Sequence, residues 1–275
     1  MSPRLGDYTA ELLRLRERKG LTARDAQRKV LNTNTFGALM VRLGDADALI
    51  AGVTQHYPDT IRPALEVIPV REGGKRVAGM YLMITVKGDL YFFADATVNI
   101  EPSAEELAEI AIEAAETARR FNVEPRVAMI SFSNFGSARH PLSEKVRLAT
   151  MIAKRRAPDL SIDGEMQADT AVDPEIIDAT YPFSALKGGA NVLVFPDLEA
   201  GNVAYKLLQK LGGAEAIGPI LMGLSKPVHV LHREAQVNEI VNVTAIAVVD
   251  AHALETRGAR DVGSVNRAPV VSAAD

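Results

Sequence analysis

The hydrophobic pattern changes period along the chain. From Asp7 to Gly44 apolar residues recur at helical spacing. Leu12, Leu13 and Leu15 in "DYTAELLRLRERKG" predict a helix ending at Gly20; "TARDAQRKVL" follows at once, and "TFGALMVRLG" predicts a mostly buried helix stopping at Gly44. Thr22 with Asp25 is a capping-box variant. "ADALIAGV" predicts a short buried strand and "PDTIRPALEVI" a helix whose first turn holds Asp59, Arg62 and Pro63. "VAGMYLMITV" and "DLYFFADATV", joined by Lys87-Gly88-Asp89, predict a hairpin.

From Ser103 helices and strands alternate. "SAEELAEIAIEAAETARRF" opens on a Ser103/Glu106 capping box; "RVAMISF", "LSIDGEM", "ANVLVF" and "GPILMG" read as strands, and "LSEKVRLATMIAKRRA" and "EAGNVAYKLLQKLGG" as helices. That alternation means an α/β fold. "NEIVNVTAIAVVDAHAL" is apolar on most faces and is expected to be a buried helix, whereas 255–275 loses periodicity and is expected to be a mobile tail.

Composition narrows the function. With 47% hydrophobic and 24% charged residues the chain sits at the globular average. No apolar run is expected to approach the ~18 residues of a membrane helix, and the first residues lack a signal-peptide core, so a cytoplasmic protein without membrane contact is expected. The absence of cysteine excludes disulfides and any protein thiolate; thiol chemistry would need a thiol brought by a ligand. A net charge of -4 leaves anion binding to local arginines and helix N-termini, and no basic stripe suggests nucleic acid.

Four loops are candidates for chemistry. "SFSNFGSARHP" offers Ser131, Ser133, Gly136 and Ser137 as a phosphate cradle or as an ordinary serine-rich turn. Asp197 and Glu199 suit a helix start. Asp163, Glu165 and Asp169 lack a histidine to complete a metal set, so no metal is expected. In "VHVLHREAQVNEIV" His232, Arg233 and Glu239 stand between two apolar runs, either as a loop clamp and helix cap or as a site for a small anion. Strand-linked GxGxxG, Walker, HExxH and GxSxG motifs are absent from the sequence.

Taken together, "DADALIAGV…DTIRPALEVI", "FSNFGSARHPLSEKV", "SIDGEMQAD" and "KGGANVLVFPDLEAGNVAYKLLQKLGGAEAIGPILMGLSKPVHVL" resemble the phosphotransacetylases, the phosphate acetyl- and butyryltransferases, from about Tyr8 to about Ala253. "FADATVN", "SFSNFGS", "DGEM" and "PVHVL" are similar to the phosphotransacetylase-like domain that ends bacterial NADP-dependent malic enzymes and is thought to sense acetyl-CoA. The resemblance implies a two-lobed α/β fold of mostly parallel sheets, like the isocitrate and isopropylmalate dehydrogenases, with the cleft between lobes. The expected division is a first lobe over 1–100, incomplete and rejoined by the helix at about 237–254, a second lobe over 101–236 and a disordered tail over 255–275.

The family carries a serine–arginine pair and, six positions after the arginine, an aspartate that deprotonates the coenzyme A thiol. Here the arginine falls on Arg233, His232 stands where the family has serine and Glu239 where it has aspartate; two further family arginines fall on Arg16 and Arg62. The leading expectation is a domain that binds acetyl-CoA as a regulatory ligand of a malic enzyme, with catalysis impaired at the two departures. The alternative is an active phosphate acetyltransferase. Either way the expected ligands are acyl-CoA, phosphate or acyl phosphate, with an upstream malic-enzyme domain and a homo-oligomer as expected partners.

Overall fold

The structure, a computed structural model, describes residues 3–71, 74 and 76–265. Helices α1 (Leu5–Arg16), α2 (Ala23–Lys29) and α3 (Thr33–Leu43) come first, followed by β1 (Leu49–Gly52) and α4 (Tyr57–Val67). Gly44 ends α3 at φ +80°, and Gly20, at φ +87°, ends a 3-10 turn over Glu17–Lys19 that follows α1; a side chain at either would be strained. Thr22 caps α2 by accepting from Asp25 N–H at 3.2 Å. Helix α4 begins earlier than expected, at Tyr57, and contains Pro63 within its body. Proline cannot donate to the carbonyl four residues back. That carbonyl, on Asp59, is taken by buried Asn34 Nδ2 at 3.4 Å, so the helix continues.

The hairpin β2 (Ala78–Ile84) and β3 (Leu90–Ala94) is followed by α5 (Ala104–Arg120), β4 (Arg126–Ile130), α6 (Pro141–Arg156) and β5 (Ser161–Met166). Then come α7 (Ala168–Val172), α8 (Pro174–Thr180), β6 (Val192–Val194), α9 (Leu198–Lys210), β7 (Glu215–Met222), β8 (Val228–Leu231) and α10 (Val237–Val265). Among the described residues the eight strands join one sheet in the order β1-β8-β7-β2-β3-β6-β4-β5. The β1/β8, β3/β6, β4/β6 and β4/β5 ladders are parallel. Because β7 is antiparallel to β8, β2 to β7 and β3 to β2, strands β3, β6, β4 and β5 run opposite to β1 and β8.

Alternation along the strands divides the core. Met80, Phe92, Met129, Val194 and Ile220 point to one face, where α5, α6 and α10 cover them. The next residues along, among them Tyr81, Phe93, Leu193, Leu221 and Val230, point to the other. There α1 to α4 cover the β8 end and α7 to α9 the β3–β6 end. Fully buried Phe92, Met80 and Met129 each contribute about 1.5–3 kcal/mol.

Several expectations need correction. Strand β1 is half-buried, because an edge strand pairs on one side only. Strand β7 starts at Glu215, earlier than "GPILMG" suggested. Helix α10 buries only Val243, Ile246, Ala247 and Asp250 among its described side chains; Val237, Val241 and Val248 face outward. Its stretch Val237–Leu254 does meet the length and apolar composition of a membrane span. Lying on β7, β8 and β1 through one face, it is a surface helix of the sheet. It also continues past Leu254 to Val265, and 255–265 holds no proline to stop the backbone. Of the expected tail, 266–275 lies outside the described residues.

Candidate functional site

The end of β8 and the start of α10 form a tight corner. His232 accepts from Ala235 N–H at 3.2 Å through its carbonyl, turning the chain, and Gln236 opens the helix. Glu239 reaches back from the first turn, its Oε2 accepting from Gln236 N–H at 3.0 Å, which is half of a capping box. The same oxygen lies 3.3 Å from His232 Nε2, with the side chains 27% and 49% exposed. The carboxylate is therefore both a cap and the partner of an accessible imidazole.

Arg233 is exposed, its Nη1 3.3 Å from His56 Nε2. His56 caps α4 in an extended conformation without using its side chain, which leaves the ring free to meet the arginine. Its place is fixed by the close approach of β1 to β8. Gly52 pairs with Leu231 at φ +127°, and a Cβ there would fall 2.0 Å from the Leu231 carbonyl oxygen. Val53 follows at φ +63°, a conformation a β-branched residue adopts at a cost of about 1–3 kcal/mol. Next to His56, Tyr57 buries its hydroxyl, and burial pushes its pKa up to about 12.

The other two arginines are ranged along α4. Arg62 is exposed on that helix, one turn before Glu66. Arg16, half-buried on α1, lies 3.7 Å from Glu66 Oε1, and Lys29 Nζ bonds the other oxygen of the same carboxylate. At ~1.5 Å per residue, His56 and Glu66 are about 15 Å apart along the helix, so the three arginines serve an extended ligand better than a single phosphate.

The serines stand elsewhere. They follow β4, seventh in the sheet, whereas Arg233 follows β8, second; five spacings of ~4.8 Å give about 24 Å. The strands run in opposite directions, so the two loops leave from opposite ends of the sheet. Ser133, fully buried, donates to Glu165 Oε1 at 2.9 Å, and Gly136 N–H donates to the same oxygen at 2.6 Å. Ser137 accepts from Asn134 N–H, and Ser131 from Ser133 N–H. The donors converge on a carboxylate of the chain itself. Asp163 takes Lys154 Nζ, Ser184 Oγ and Ala185 N–H, Asp169 bonds Thr170 N–H, and Asp197 caps α9 through Ala200 N–H. Among the described residues no group of three or more His, Asp or Glu is placed to hold a metal ion.

Sequence reasoning missed His56 and His229. The chain has five histidines. Three of them, His56, His229 and His232, gather where β8 meets α4 and α10, a concentration visible only once the strand order is known.

The fold is that of solved phosphotransacetylases. The structure matches that of the Streptococcus pyogenes phosphotransacetylase with a TM-score of 0.88 and 41% identity, over 92% of this chain and 77% of that one. The family described as Phosphate acetyl/butaryl transferase matches residues 1–248. The chain is 46% identical over 235 residues to the phosphate acetyltransferase of Bacillus subtilis, covering 85% of this chain and 72% of that protein. It is also 45% identical over 252 residues to the NADP-dependent malic enzyme of Escherichia coli, covering 90% of this chain but 33% of the enzyme. This chain belongs to the phosphate acetyl/butyryl transferase family.

Proposed function

We propose that the chain is a phosphate acetyltransferase, moving acetyl between coenzyme A and phosphate. This reverses the order of the two expectations drawn from sequence. The observation that carries it is the His232–Glu239 pair beside exposed Arg233, in a chain so close to phosphate acetyltransferases. In the direction of acetyl-CoA synthesis, the thiol sulfur attacks the carbonyl carbon of acetyl phosphate. The C–O bond to phosphate breaks, and the thiol proton passes to His232, whose imidazolium Glu239 stabilises. A base held by a carboxylate is the logic of hydrolase triads. Arg233, Arg62 and Arg16 neutralise phosphate charge along α4. Without cysteine, the acetyl group passes directly rather than through an acyl-cysteine. The same reading makes a cytoplasmic homo-oligomer the working form, and exposed Val203 and Leu207 on α9, with Leu211 just past its end, suit such an interface.

A second reading, an acetyl-CoA-sensing region of a malic enzyme, is favoured by the identity with the malic enzyme of E. coli. One sample separates them. Thioester formation from coenzyme A and acetyl phosphate, followed by absorbance, supports the transferase. Calorimetric binding of acetyl-CoA without turnover supports the sensor. Neither binding nor turnover overturns both.

A further inference from the structure

Helix α10 carries Glu239 in its first turn and β8 delivers His232 and Arg233, yet little apolar surface fixes one against the other. Among its described side chains the apolar ones buried beside the sheet are Val243, Ile246 and Ala247, and apolar contact does not specify an axial position. The directional contact lies further along the helix. Asp250, 4% exposed, accepts from Arg120 Nη1 of α5 at 2.9 Å through Oδ1. Its Oδ2 lies 3.2 Å from Nε2 of His229, which is wholly buried in β8. The carboxylate thus bridges β8 and α5 at one point of α10. Burial alone would raise the Asp250 pKa; the contact with His229, together with Arg120, holds it below the usual carboxylate range.

We infer that His229, Asp250 and Arg120 form a register pin that holds Glu239 at bonding distance from His232, making His229 and Asp250 positioning residues. The inference rests on the reading of His232 and Glu239 as the groups that handle the thiol proton. The surroundings are apolar around His229 and charged around Arg120. The strand neighbours of His229 are Ile50 and Ile220, and the other charges near Arg120 are Glu113 on α5 with its partner Arg71, which also pairs with Glu116. Asp250 is ~16 Å along the helix from Glu239, and a slip of one residue would move the carboxylate ~1.5 Å. Displacement of about 1 Å costs on the order of 10²-fold in rate, while ligand contacts made by the arginines of α1 and α4 stay in place.

The test uses His229→Leu, His229→Gln and Asp250→Asn in the full chain, read by steady-state kinetics and by amide hydrogen exchange. His229→Leu is expected to lower kcat at least ~10-fold, with KM for coenzyme A and acetyl phosphate within about twofold. Exchange is expected to quicken over 236–243 more than in β8. His229→Gln, which keeps an N–H donor near the Nε2 position, is expected to recover most of both effects. If His229→Leu fails to fold, Asp250→Asn carries the same two readouts. Unchanged kcat in a folded variant, a rise in KM instead, or loosening spread evenly over the chain without rescue by Gln overturns the pin. Should the wild-type chain show no transferase activity, the functional reading falls and exchange alone decides: loosening confined to 236–243 and reversed by Gln supports the pin, and any other pattern overturns it.

Discussion

Changing Glu239 to Gln removes one charge while keeping the arm length and an acceptor for the Gln236 N–H. The structural cost is small. At 3.3 Å in water the attraction to a protonated His232 is about 1.3 kcal/mol, and side chains 27% and 49% exposed lose part of that to salt and to their own freedom. A net loss of about 1 kcal/mol or less corresponds to roughly 2–4 °C in melting temperature. The catalytic cost is far larger if the pair moves the thiol proton: about 10²–10⁴-fold in kcat. His232→Ala should cost a similar factor. The double variant should cost no more than the worse single one, since residues acting as a unit do not add. Acetyl-CoA formation at saturating substrates, with melting curves on the same samples, gives both numbers. The reasoning fails if Glu239→Gln keeps kcat within twofold, or if the two losses multiply.

Arg233→Ala should weaken acetyl phosphate binding by about 1.5–3 kcal/mol, roughly 10- to 150-fold, in calorimetry. Ser133→Ala should lower stability to urea by about 1–3 kcal/mol by removing a hydrogen bond to buried Glu165, with kcat unchanged at a site about 24 Å away. Gly52→Ala should cost more than about 2 kcal/mol in the same assay, because its φ of +127° and the Leu231 carbonyl both reject a methyl group. Glu11 is held at a pKa of about 2 by Arg14 and also by Arg42, despite the opposing effect of burial. A depressed carboxylate contributes stability above its unfolded pKa and loses it as pH falls through the folded one. The destabilisation caused by Glu11→Gln should therefore be full above about pH 5 and fade towards pH 2 in acid-dependent melting curves.

Elements with strong local signals were legible in the sequence. The Ser103/Glu106 box opens α5, Gly44 closes α3, Gly20 closes the 3-10 turn after α1, and Lys87-Gly88-Asp89 joins β2 to β3, because each depends on residues close in sequence. The exposure of α10 was not legible: its composition is that of a buried helix, and only the sheet shows that one face is covered. The corner at His232 and Glu239 was half legible. Spacing placed Glu239 in a first turn, but the approach of His56 depends on β1 pairing with β8, strands far apart in sequence. The serine turn showed its donors without showing Glu165, whose carboxylate comes from a neighbouring strand.

The reversal of strand direction between β8 and β3 gives one sheet two independent workbenches. Loops after β1 and β8 gather at one rim, and loops after β3, β6, β4 and β5 at the other. Lengthening or rewriting a loop at the serine rim leaves the arginine rim its own strands, its own helices and its own hydrogen bonds. Whatever the serine rim comes to meet, the geometry at His232, Arg233 and Glu239 need not move with it.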